Sequence, residues 1–270
     1  MTLLVIKGVN LNVKLVGSGQ PLALLHGFTG SAANWHSHIA VLARQFLTIA
    51  VDLLGHGGSD SPADPGRYSM ERCVEDLIAV LDQLGFEYVN LLGYSMGGRV
   101  AMHVAATHPE RVRALVLESA SPGLADSAER QARVTSDEVL AERIEREGLE
   151  AFVSYWESLP LFASQMRLLE SVRADLRAQR LQNNPLGLAN SLRGLGTGVQ
   201  SSLWECLPDL RIPTLLIAGE LDSKFVGIAR AMAQALPTAT LAIIPDAGHT
   251  VHLEQPDEFN RLVSAWLSNL

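Results

Sequence analysis

Val89-Asn90-Leu91-Leu92-Gly93-Tyr94-Ser95-Met96-Gly97-Gly98 is the stretch on which the reading of the whole chain turns. Its first half is a short, continuous apolar run, which reads as a buried strand. A helix-length segment follows from Met96 to Thr107 and stops before Pro109. Between the two sits Gly-x-Ser-x-Gly, in the strand-to-helix context of a nucleophile elbow. The glycines are needed because a Cβ at either one would collide with neighbouring backbone in so sharp a turn. The helix aims its first amides at Ser95, which favours negative charge there. The plainer alternative is a tight turn with an idle serine.

Working outward, the same form recurs. Leu22 to His26, Leu47 to Asp52 and Ala114 to Glu118 are apolar runs, and Thr214 to Gly219 and Thr240 to Pro245 repeat them near the end. Helical segments at 70–84 and 256–267 lie among them. Continuous apolar strands separated by helices indicate a parallel sheet buried on both faces. From Gly123 to Pro208 the residues are charged and helix-favouring, with no strand-like run. The chain therefore reads as α/β, with a mostly parallel central sheet, helices on both faces and a helical lid. The expected boundaries are 1–122 and 209–270 for the core and 123–208 for the lid. Such an insertion would cover the crevice at the carboxyl edge of the sheet.

Composition narrows the function classes. The 270 residues are 47% hydrophobic and 19% charged, with a mean hydropathy of +0.15. That describes a folding chain with a large core. Twenty-one basic against 29 acidic residues give a net charge of −8, which disfavours a nucleic-acid partner. No apolar run approaches the ~18 residues of a membrane span. Met1 to Lys7 carries no basic leader or cleavage site. Two cysteines, Cys73 and Cys206, suggest neither a disulfide framework nor a metal site. A soluble, cytoplasmic monomer acting on a small molecule is expected, with no metal and no cofactor.

A serine hydroxyl needs a base, and the base an orienting carboxylate. In this kind of fold they follow the serine in the order acid, then histidine. Ala247-Gly248-His249 lies where the base belongs, with His252 as the competitor. Asp222 sits just past a strand and before a helix, where it could also serve as an N-cap. Glu118, at the end of the strand after the elbow helix, is the second candidate acid, and Asp246 lies too close to His249 to orient it easily. The backbone N–H groups of Phe28 and Met96 are the expected oxyanion donors. Asp52 to Ser59 has glycines but no P-loop lysine, and reads as a structural loop.

These residues resemble the α/β-hydrolase superfamily over nearly the whole chain. Four pieces carry a narrower likeness: Gly93 to Arg99, Ser121 to Leu124 with Glu129 to Arg133, Trp156 to Ser164 with Arg180 to Asn184, and Gly219 to Phe225. Together they resemble the 2-succinyl-6-hydroxy-2,4-cyclohexadiene-1-carboxylate synthases of menaquinone biosynthesis, which eliminate pyruvate from a tricarboxylate. Met96 stands where that family more often has leucine. The resemblance implies carboxylate binding by Arg99, one helical turn after Ser95, and by Arg133 and Arg180 in the lid, with Arg130 as the alternative to Arg133. Arginine suits the task because its planar fork grips a carboxylate bidentately. Tyr94, Trp156 and Phe162 would line the pocket by the same likeness, or simply pack. Two rival readings remain: a serine hydrolase working through an acyl-enzyme, and a non-enzymatic receptor that kept the pocket.

Overall fold

The computed structural model describes residues 2–270. Eight strands form one sheet: β1 (Thr2–Ile6), β2 (Val9–Val16), β3 (Gln20–Leu25), β4 (Phe46–Val51), β5 (Val89–Tyr94), β6 (Val112–Glu118), β7 (Thr214–Gly219) and β8 (Ala239–Ile244). Their spatial order is β1-β2-β4-β3-β5-β6-β7-β8. All neighbours from β4 to β8 run parallel, whereas β1 pairs antiparallel with β2, and β2 with β4. The inner strands are apolar at nearly every position because both faces are covered. β7 is buried along its whole length, and Leu22, Leu24, Leu25, Leu91, Leu92, Leu115 and Val116 are all 2% exposed or less. Burying one such leucine contributes roughly 2 kcal/mol.

The helices are α1 (His36–Leu42), α2 (Met70–Gln83), α3 (Met96–Thr107), α4 (Ser127–Glu147), α5 (Leu149–Glu157), α6 (Glu170–Arg180), α7 (Pro185–Leu195), α8 (Ser223–Ala235), α9 (Val251–Glu254) and α10 (Pro256–Ser268). Along α2, Met70, Cys73, Val74, Leu77, Val80 and Leu81 are buried, the spacing of one helical face. Its first turn is capped by Ser69, whose Oγ accepts from the Arg72 amide at 3.3 Å. Two apolar clusters lie against the sheet, one containing α2 and α3, the other α1 and α10. No helix among the described residues is long and apolar enough to cross a membrane.

Everything between β6 and β7 is helix, turn or loop. α4, α5 and α7 enclose a small core of their own around Ile144, Phe152, Val153, Leu188 and Leu192, and Phe28 and Trp156 pack against it. Side chains fasten this insertion to the sheet loops below. Asn183 Nδ2 donates to the Thr29 carbonyl at 2.8 Å, and its Oδ1 accepts from the Gly57 amide at 2.9 Å. The Asp52–Ser59 loop is held from inside: the Asp52 carboxylate accepts from Asn12 Nδ2 and the Gly58 amide, each at 2.7 Å, and from the Ala32 amide at 2.5 Å. The loop is built around a buried anion of its own.

Candidate active site

Five strand ends on one edge of the sheet deliver the residues of interest. The loop after β3 carries Phe28, the turn after β5 carries Ser95, and the end of β6 carries Glu118. Asp222 and His249 follow β7 and β8. Ser95 has φ 51° and ψ −108°, a backbone conformation costing on the order of 1–3 kcal/mol for a residue with a Cβ. It is held there by its amide, which donates to the Glu118 carbonyl at 2.8 Å, and by its own carbonyl, which accepts from the Arg99 amide at 3.1 Å. A Cβ on Gly93 would run into the Gly97 carbonyl, and one on Gly97 into the Leu25 carbonyl. Strand and helix therefore meet closely enough to lift Ser95 out of the turn.

His249 Nε2 lies 3.2 Å from Ser95 Oγ, and its Nδ1 lies 2.7 Å from Asp222 Oδ2. His249 and Asp222 are 2% and 8% exposed, so little water competes for either contact. Asp222 also caps α8, Oδ1 accepting from the Phe225 amide at 3.2 Å. The two readings of this residue coexist, one oxygen for each. The alternative base and acid pair with each other instead: His252 Nδ1 lies 2.8 Å from Glu118 Oε2. Asp246 sits exposed in the turn after β8. The amides of Phe28 and Met96 have no protein acceptor among the described residues, and both residues line the cavity onto which Ser95 opens.

That cavity has a volume of about 290 Å³, and Arg99, Arg133, Tyr94, Trp156 and Phe162 also line it. Arg99 Nη1 donates to the Leu195 carbonyl at 2.6 Å and to Gln200 Oε1. Burial, followed by the neighbouring Arg133 charge, pushes its guanidinium down to about 10, still cationic at neutral pH. Arg133 Nε donates to Asp137 Oδ1 at 2.8 Å. Arg130, the alternative, is used on the carbonyls of Leu124 and Ala125 at the start of α4. Tyr94 donates to or accepts from Thr250 Oγ1 at 3.0 Å, and burial raises its phenol above the ordinary range.

Arg180 departs from expectation, because it does not line this cavity. Its Nη1 donates to Glu157 Oε1 at 2.9 Å, and its guanidinium carbon lies 5.5 Å from the centre of the Phe162 ring. Glu157 on α5 captures both Arg177 and Arg180; Arg180 borders a cleft along α6 and a small adjoining pocket that Phe28, Tyr94, Trp156 and Phe162 also line. Lys224 was not singled out from sequence, yet it lines the cavity, and the neighbouring Phe225 ring lies 4.6 Å from that of His249. Both sit in the first turn of α8, directly after Asp222, and that adjacency was the available signal.

The chain belongs to the α/β-hydrolase fold family, which matches residues 20–256. Within that family it is similar to one particular group. A Bacillus subtilis (strain 168) protein named as a candidate 2-succinyl-6-hydroxy-2,4-cyclohexadiene-1-carboxylate synthase is 49% identical over 94% of this chain and 92% of its own length. The Enterobacter sp. (strain 638) protein of that name is 37% identical over 87% and 86%. Among solved structures, MenH from S. aureus superposes with a TM-score of 0.91 at 36% identity, covering 96% of this chain and 98% of that one. A thermophilic esterase from Thermogutta terrifontis reaches 0.87 at 28% identity, covering 99% and 98%.

Proposed function

We propose that the chain is a carbon–oxygen lyase of menaquinone biosynthesis. It eliminates pyruvate from 2-succinyl-5-enolpyruvyl-6-hydroxy-3-cyclohexene-1-carboxylate and releases 2-succinyl-6-hydroxy-2,4-cyclohexadiene-1-carboxylate, the product for which its relatives are named. One observation carries the reading beyond the fold: the cavity that Ser95 lines is also lined by Arg99 and Arg133. An ester needs no such cations, whereas a tricarboxylate does.

In this mechanism His249, oriented by Asp222, takes the Ser95 proton. The Ser95 alkoxide removes the ring proton beside the succinyl carbonyl. The amides of Phe28 and Met96 stabilise the enolate oxygen that forms. The enolate then collapses back to the carbonyl and forms a new ring double bond beside it, the existing ring double bond shifts by one position, and the ring–oxygen bond to the enolpyruvyl group breaks. The departing enolpyruvate accepts a proton from His249 and becomes pyruvate. No acyl-enzyme forms, so hydrolase machinery serves a lyase without a change of fold. Arg99 and Arg133 would bind carboxylates, and Arg180 would have to leave Glu157 to join them. Tyr94, Trp156 and Phe162 would pack against the ring. Free thiols at Cys73 and Cys206 support a reducing, cytoplasmic setting.

The test is pyruvate release from the enolpyruvyl precursor by purified protein, alongside a panel of p-nitrophenyl esters. Rapid pyruvate release with negligible ester cleavage is expected. Ester turnover without pyruvate would replace the lyase with an ordinary serine hydrolase.

A further inference from the structure

One buried carboxyl directly behind the cavity-lining Arg133 has no part in the mechanism above. Asp137 lies on α4, four residues after Arg133, and is only 2% exposed. Its Oδ1 accepts from Arg133 Nε, while Oδ2 has no hydrogen-bond partner among the described residues. A half-satisfied buried carboxylate costs on the order of 1–3 kcal/mol. An exposed i,i+4 ion pair returns less than that, about 0.3–0.5 kcal/mol. Helix stapling alone is therefore a poor reason to bury this acid.

Its surroundings keep it in place. The turn after α7 closes over it so tightly that a Cβ on Gly196 would lie 2.5 Å from Oδ2. Two guanidinium groups share its negative charge: Arg133 directly, and Arg99, whose charged form it favours while Arg133 opposes it. Burial pushes the Asp137 carboxyl up, and the Arg133 and Arg99 charges oppose that shift. Asp137 takes Arg133 by the Nε edge, and Nη1 and Nη2 have no acceptor among the described residues. Those two donors form the face of the fork that matches a carboxylate bidentately.

We infer that Asp137 is a positioning residue for substrate binding, holding Arg133 by Nε so that its two Nη groups are presented to a ligand carboxylate. The inference rests on the lyase reading. Because the carboxylate that Arg133 grips does not react, the same contact persists from ground state to transition state. Losing it should raise KM and spare kcat.

The experiment follows pyruvate release by wild type, Asp137→Ala, Asp137→Asn, Arg133→Ala and the Arg133→Ala/Asp137→Ala double variant, each checked by thermal melt. Asp137→Ala should raise KM about tenfold or more, the effect of losing a charge-assisted hydrogen bond, with kcat within about threefold. Asp137→Asn keeps a neutral acceptor and should raise KM about threefold; it also serves if the alanine variant fails to fold. The double variant should be no weaker than Arg133→Ala, because the two changes remove one interaction. Unchanged KM in the folded Asp137 variants, or additive penalties in the double variant, would overturn the inference alone. A wild type that releases no pyruvate would remove the lyase reading and the inference with it.

Discussion

His249 with Asp222 and His252 with Glu118 form two histidine–carboxylate pairs, 2.7 and 2.8 Å long, from histidines three residues apart in the chain. In the first pair the other ring nitrogen of the histidine faces Ser95 Oγ at 3.2 Å, at the wall of the cavity. In the second pair the two side chains are 1% and 0% exposed. The His252 ring lies among Trp35, Tyr94 and Phe259, with centroids 4.8 to 6.0 Å away. Glu118 also accepts from the His252 backbone amide at 3.0 Å. Its own carbonyl takes the Ser95 amide, so the sealed pair ties the turn carrying Ser95 to the segment carrying His249. Such a pair does proton chemistry or fastening according to what its free nitrogen faces, and its length does not distinguish the two.

Exchanging the targets should break this comparison most visibly. His249→Ala is expected to lower the turnover of pyruvate release by about 10⁴, the scale for removing a member of a serine triad. His252→Ala, assayed on folded protein, should stay within about tenfold of wild type. Equal losses in the two would mean that the sealed pair takes part in the chemistry.

The next effect is on stability. Glu118→Ala leaves the ring nitrogen and the backbone amide of His252 without their partner in the core, and breaking a buried pair in this way costs about 3–5 kcal/mol. The urea midpoint should therefore fall well below that of wild type. Asp222→Ala, whose side chain is less deeply buried, should lose less stability and far more turnover. The reverse order would identify Glu118 as the acid.

The elbow and inner strands were legible because local rules fix them: continuous apolar runs, glycines where backbones touch, and helices ending before Pro109 or at Gly85. The β1–β2 pair was not read from sequence. It is an edge with one face in solvent, turned at Lys7-Gly8, and its alternation is short. The seven-residue α1 is likewise too brief to show a helical period. Choosing between Asp222 and Glu118 was harder for another reason, since both end strands that point to the same edge. What separates them is the helix α8, which places one oxygen of Asp222 on the Phe225 amide and leaves the other for His249. The lid arginines were legible as types and not as directions. Arg180 is turned by Glu157, 23 residues earlier, and Arg133 by Asp137, one helical turn later. Local pattern carries no record of the first contact and only a hint of the second.

The smallest expected effect concerns charge beside the sealed pair. His38 Nδ1 bonds Asn260 Oδ1 at 2.8 Å, and its ring lies 5.5 Å from that of His252. Burial, with His252 adding to it, lowers His38 to about 4, only partly offset by the Asn260 bond. Its unfolded value is 6.5, so between pH 6.5 and 4 the unfolded chain holds a proton at this residue that the native protein refuses. Stability is thus fully retained above 6.5 and falls on acidification by about 1.4 kcal/mol per pH unit from this residue, until its folded value is reached. His56 and His103, lowered to about 3 and about 4 chiefly by burial, add to the same slope. Replacing His38 with Gln keeps a donor for Asn260 and removes the titration. Urea unfolding of wild type and His38→Gln at pH 7, 6 and 5 should show the variant losing less stability on acidification, by about one proton's worth. Parallel slopes would mean that His38 already charges in the native protein, and that the region around Glu118 and His252 is less sealed than its burial indicates.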